Sequence, residues 1–102
     1  MNIYSKIEIV NILKKMRIYL INDSNKFFDL HSLLYKIMYE DNNGNNNYCG
    51  INSCEENLLL DFVYDLDYID QDIFKNINSD SYRKEKEKMM IMVDDIIKKI
   101  EG

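Results

Sequence analysis

No proline interrupts this chain, and only three glycines punctuate its 102 residues. A many-stranded sheet needs frequent tight turns, whereas helices joined by polar turns do not. Clusters of Asn, Asp and Ser supply most of the breaks, and between them apolar residues recur every three or four positions. The expectation is therefore an all-α fold: one small bundle of about four main helices. A chain of this length supports one modest core and not two, so residues 1–102 read as a single helical domain.

The spacing predicts a first helix over 5–21, with Ile9, Ile12, Leu13, Met16 and Leu20 as its buried stripe. Ile18, Tyr19, Leu20 and Ile21 run together, which reads as a fully buried helix end. Asn22, Asp23, Ser24 and Asn25 then form a turn cluster able to cap the next helix. Residues 26–41 carry the clearest helical pattern, with Phe27, Leu30, Leu34, Ile37 and Met38 on one face. Phe28, Tyr35 and Tyr39 widen its apolar arc. His31, the single histidine, reads as a boundary residue beside that face. Residues 41–53, DNNGNNNYCGINS, are expected to be a long Asn-rich loop that rests in water.

The stretch Ser53 to Asp72 is the most distinctive. Ser53 and Glu56 have the spacing of a capping box. Leu59, Phe62, Val63, Leu66 and Ile69 form a buried stripe, and Asp61, Tyr64, Asp65 and Tyr68 fall together on the opposite side. Asp72 joins that line if the helix runs so far. No basic residue shares this face, although solvated helices usually mix both signs. Ile73, Phe74 and Ile77 read as one helical turn or an extended link. A last helix over about 81–100 buries Tyr82, Met89, Val93, Ile96 and Ile100, with Lys86 on the same line near the solvent end.

Charge narrows the function classes. The net charge is −5, and nine of the eighteen acids lie between Lys36 and Lys75, an interval without Lys or Arg. A phosphate-binding footprint needs the opposite sign, so direct nucleic-acid binding is disfavoured. No apolar run reaches membrane-spanning length, and the N-terminus lacks the pattern of a signal peptide. Those readings imply a cytoplasmic protein with no membrane partner, in which Cys49 and Cys54 stay reduced.

Tests for chemistry fail one after another. An EF-hand starting at Asp41 would need Gly at its sixth position and Glu at its twelfth; Asn46 and Asn52 stand there. Cys49, Cys54 and His31 fall short of a zinc site. No Gly-rich phosphate loop is present, and the chain has little room for a substrate cleft. The reading is a non-enzyme with no metal and no cofactor. What remains is a face of carboxylates and tyrosines, residues suited to a cationic protein partner.

The order of these segments carries a resemblance. A first amphipathic helix precedes KFFDLHSLLYKI, then a variable loop, then the EENLLLDFVYDLDY helix, then a charged helix ending IIKKI. This order resembles the small α-helical bacterial immunity proteins of the colicin D and pyocin type, and those of contact-dependent growth-inhibition systems. The resemblance implies an antitoxin that neutralises a cognate toxin nuclease domain, an RNase in the first instance. An acidic helix face would cover the basic active site of the toxin. Asp61, Asp65, Asp67, Asp70 and Asp72 would then meet toxin Lys and Arg, with Tyr64 and Tyr68 as packing anchors. The alternative is an acidic helical adaptor, such as a viral Bcl-2-like protein that holds a partner helix in an apolar groove.

Overall fold

A computed structural model of the protein describes residues 3–69 and 71–102, with Gln71 described by its backbone alone. Four helices account for most of it: α1 (Lys6–Asn22), α2 (Ser24–Tyr39), α3 (Ser53–Asp67) and α4 (Asp80–Glu101). A 3-10 turn, Gln71–Lys75, lies between α3 and α4. Among the described residues there is no strand, only isolated bridges.

Each helix begins at a side chain that satisfies free backbone donors. The Ser5 hydroxyl accepts from the Glu8 amide at 3.2 Å, and the Glu8 carboxylate accepts from the Ser5 amide. Asp23 works in both directions. Its amide donates to the Tyr19 carbonyl at the end of α1, and its carboxylate accepts from Asn25 and Lys26 at the start of α2. The turn cluster around Asp23 is thus reduced to one residue between two helices. Ser79 caps α4 through the Tyr82 amide at 3.0 Å.

Ion pairs and hydrogen bonds report the directions of the helices. Lys14 meets Glu101 and Arg17 meets Asp94, so α1 and α4 run antiparallel. His31 lies against Val63 while Tyr39 reaches Leu60, so α2 and α3 also run antiparallel. Helices α1 and α2, α2 and α3, α3 and α4, and α4 and α1 pack against one another in a closed ring. Inside it, Ile9, Leu13, Met16, Leu20, Phe27, Leu34, Leu59, Val63, Leu66, Met89, Val93 and Ile100 are almost fully buried. The four buried stripes expected from spacing converge here, apart from half-buried Leu30, Ile69 and Tyr82.

Three local expectations are corrected. The end of α1 is not fully buried: Leu20 is, but Ile18 and Ile21 are exposed. A helix turns about 100° per residue, so four consecutive apolar side chains cannot all face one core. The segment 40–52 does not simply rest in water. Asn43 and Gly44 take positive φ, as an Asn-Gly hairpin turn requires, and the Asn45 amide donates to the Asn42 carbonyl. The Asn47 side chain donates to the Glu40 carbonyl at 2.8 Å, satisfying the end of α2. Tyr4 pairs across to this segment, its amide donating to Asn47 and its carbonyl accepting from Cys49. The third correction concerns His31, which is 6% exposed and not at the boundary. Its ring nitrogen reaches the Val63 carbonyl, so its polar end is satisfied inside.

The 3-10 turn has a packing role. It carries Phe74 into the core edge, where its ring meets Phe28 of α2 and Tyr82 of α4 edge-on at 5.4 and 5.3 Å. Truncation to Phe74→Ala should cost about 3 kcal/mol, the low end for buried aromatic residues. Urea unfolding should show a lower midpoint with an unchanged slope; a change of less than about 1 kcal/mol would remove Phe74 from the packing account.

Glu55 of α3 pairs with Lys6 of α1 and is nearly buried. The Lys6 hydrogen bond, followed by the Asn52 amide, holds the Glu55 carboxyl below its ordinary pKa. A depressed pKa in the folded state stabilises above the unfolded value and is lost as pH falls through the folded one. Lys6→Met should therefore lose stability at pH 7, and the difference from the native chain should shrink on acidification below about 4.5. Thermal melts across pH 3–7 check this; a difference that does not vary with pH would refute it.

Candidate functional site

Helix α3 carries the face, and its start differs from expectation by one residue. Asn52, not Ser53, is the N-cap: its side chain accepts from the Glu55 amide at 2.8 Å, and Glu55 accepts from the Asn52 amide at 3.1 Å. Ser53 is already helical. Glu55 closes the box because it also reaches Lys6, while Glu56 is taken by the Tyr48 hydroxyl at 2.6 Å. Burial and then that bond to Glu56 push the Tyr48 hydroxyl up to about 12.

The helix also stops earlier than Asp72. Its last turn holds no cation, and Asp65 and Asp67 lie near the negative end of the helix dipole, where carboxylates are unfavourable. The chain tightens at Tyr68, whose amide donates to Asp65, and the Ile69 amide donates to Leu66. Asp72 consequently leaves the line of the face. It lies in the 3-10 turn, paired with Lys75 at 2.8 Å, beside Ser24 and Asn25 at the start of α2. Asp70 lies outside the described residues.

Asp61, Tyr64, Asp65 and Tyr68 do share one exposed side. Among the described residues neither Asp61 nor Asp65 has an ion-pair partner. The Tyr64 and Tyr68 hydroxyls are 2.6 Å apart and the rings meet edge-on at 5.0 Å, although the side chains are 53% and 72% exposed. Their mutual bond raises the Tyr68 pKa. Asp67 points another way, its carboxylate 3.2 Å from the His31 ring on the α2 side.

Two tyrosines that spacing assigned to the apolar arc of α2 belong to this surface. Tyr35 and Tyr39 are both exposed and stack at 5.0 Å with an interplanar angle of 22°. The Tyr39 hydroxyl donates to the Leu60 carbonyl of α3. Its pKa is raised first by burial and then by the charges of Asp61 and Asp67. Tyrosines at i and i+4 on α2 were visible in the sequence, but which way that side faced was not.

The face is also not free of cations in space. Lys99 of α4 lines a groove with Asp61 and Asp65, and Lys88 of α4 lies in a second groove with Asp65 and Tyr68. Helix α3 has no basic residue, but its neighbour brings two to the edge. Elsewhere, Cys49 and Cys54 are free and exposed. Among the described residues no three His, Cys, Asp or Glu side chains are grouped to hold a metal ion, and no helix is long and apolar enough to cross a membrane.

Comparison with known proteins gives no match: no family model, curated protein or solved structure is significantly similar to the chain. Function must therefore be argued from the face itself.

The influence of Asp61 on Tyr39 is testable. Asp61→Asn removes one of the charges that raise the Tyr39 hydroxyl, so its titration should move down toward 10.0 without reaching it, since burial remains. Site-resolved NMR titration of the tyrosine rings checks this. An unmoved Tyr39 would separate the α2 tyrosines from the acidic face.

Proposed function

We propose that the protein is an immunity protein that binds a cognate bacterial toxin nuclease domain and covers its basic active site with the α3 face. The observation that carries this reading is Asp61 and Asp65, carboxylates with no ion pair among the described residues, alternating with two tyrosines already bonded to each other. A nuclease cleft must be cationic to hold a phosphate backbone, and unpaired carboxylates speed encounter with such a surface and fit it once docked. Tyrosine gives large contact area with a polar tip, and a pair held before binding loses less freedom on binding. The partner is thus a basic protein, not a nucleic acid, and the proposed place of action is the cytoplasm.

In this reading Asp61, Asp65, Tyr64 and Tyr68 make the direct contacts, and Tyr35 and Tyr39 extend the surface. Asp67 contributes at its edge while engaged with His31. Asp72 is displaced to the 3-10 turn and is not part of the central contact. An adaptor that lays a partner helix into an apolar groove is served less well. Of two α3–α4 grooves, the one at Asp61 measures about 140 Å3, small for a helix. The larger one at Tyr68, about 430 Å3, is lined by Asp65 and Lys88 as well as Ile69 and Met92, so it is not an apolar cleft.

The experiment is co-purification with the product of the neighbouring gene, followed by a nuclease assay with and without the protein. A tight complex with silenced nuclease activity is the expected result. Asp61→Lys with Asp65→Lys should weaken binding by about 10²-fold, on the order of 3 kcal/mol for close interfacial charges. The association rate should fall as salt rises from 0.05 to 0.5 M. Unchanged binding in the double variant would sink the role of this face, and a complex with full nuclease activity would sink the immunity reading.

A further inference from the structure

We infer that the groove between α3 and α4 is a socket for one arginine side chain of the basic protein partner. This rests on the binding reading above and specifies what the surface grips.

The groove has an apolar floor and a charged rim. Leu58 and Phe62 of α3 and Met92 and Ile96 of α4 form the floor. Phe62 and Ile96 are nearly buried, while Leu58 and Met92 are half-buried and present apolar surface to whatever enters. Asp61 and Asp65 stand on one side of the rim, with Asp95 and Lys99 on the other. Lys99 is engaged by Asp95 at 2.9 Å, and Asp61 and Asp65 have no ion pair among the described residues. Within this groove three carboxylates thus face one ammonium, with Lys88 beyond Asp65 in the neighbouring groove.

Size and chemistry together select the occupant. A volume of about 140 Å3 is below the roughly 300–1,000 Å3 of small-molecule sites and suits a single extended side chain. The rim repels an anion, and an apolar side chain alone would dehydrate the rim carboxylates without replacing their hydrogen bonds. A long cationic side chain meets both demands, with its stem along the floor and its head at the wet rim. Arginine fits better than lysine. Its planar guanidinium offers five donors and can bond Asp61 and Asp65, one helical turn apart, while an ammonium is a compact point charge.

The test uses the whole protein with methyl-labelled Leu, Ile and Met, titrated by NMR with the probe acetyl-Gly-Arg-Gly-amide. Saturable shifts at Leu58, Met92 and Ile96 are expected. The lysine peptide should bind several-fold more weakly, and the citrulline peptide, which keeps the shape and loses the charge, should leave these methyls unmoved. Met92→Phe narrows the floor and keeps every rim charge, and it should reduce arginine binding at least tenfold. Asp61→Asn with Asp65→Asn, both exposed positions, should do the same with helical circular dichroism unchanged. Equal shifts with citrulline, no shifts with arginine, or undiminished binding by Met92→Phe would each overturn the socket. The two proposals fail separately. A toxin bound and silenced equally well by the Met92→Phe protein overturns the socket and leaves the immunity reading intact. Arginine seated in the groove of a protein whose neighbouring gene product is no nuclease overturns the immunity reading and leaves the socket.

Discussion

The rotation of α3 about its own axis decides which of its side chains are exposed, and Glu55 anchors the start of that helix. One carboxylate closes the capping box with Asn52 and receives Lys6 from the start of α1. The start of α3 is thereby tied to a helix it does not pack against closely, across the ring of four. With that end held, Leu59, Phe62, Val63 and Leu66 turn inward. Asp61, Tyr64, Asp65 and Tyr68 are left facing out because the helical period allows no other arrangement.

Electrostatics then sort the acids that the sequence bunches together. The last turn of α3 carries no cation of its own to meet the helix dipole, and the helix closes at Asp67. Asp67 turns to His31, and Asp72 finds Lys75 in the following turn. Asp61 and Asp65 alone of these four have neither an ion pair nor an imidazole contact among the described residues. Among the described residues, the carboxylates of this surface without a partner are therefore concentrated on one turn of helix. A concentrated pair of carboxylates can be met by one bidentate guanidinium, whereas a dispersed row gives only long-range steering.

Aromatic packing provides the stiffness this arrangement needs. Phe28, Phe74 and Tyr82 lock the link between α3 and α4 to the end of the bundle. On the outside, Tyr64 with Tyr68 and Tyr35 with Tyr39 are paired before any partner arrives. Ordered side chains at an interface have less freedom to lose, so the same contact area yields tighter binding. The tyrosines thus link the packing of the bundle to the recognition chemistry proposed for it.

The sequence by itself determined the class of fold and the composition of the face. Without proline, and with apolar residues at helical spacing, the chain had to form helices, and stripes such as Ile9–Leu13–Met16–Leu20 had to be buried. The α3 side bearing Asp61, Tyr64, Asp65 and Tyr68 was legible for the same reason, since periodicity is a local property. Tertiary structure alone decided the rest. Ser53 lost the cap to Asn52 because Lys6, distant in sequence, claimed Glu55, while Tyr48 in the preceding segment claimed Glu56. His31 was drawn inside because a carbonyl and a carboxylate of α3 waited for it. Tyr35 and Tyr39 joined the face, and Lys88 and Lys99 came to its edge, because neighbouring helices were packed beside α3. Spacing reports which residues share a side of one helix; only packing reports what that side meets.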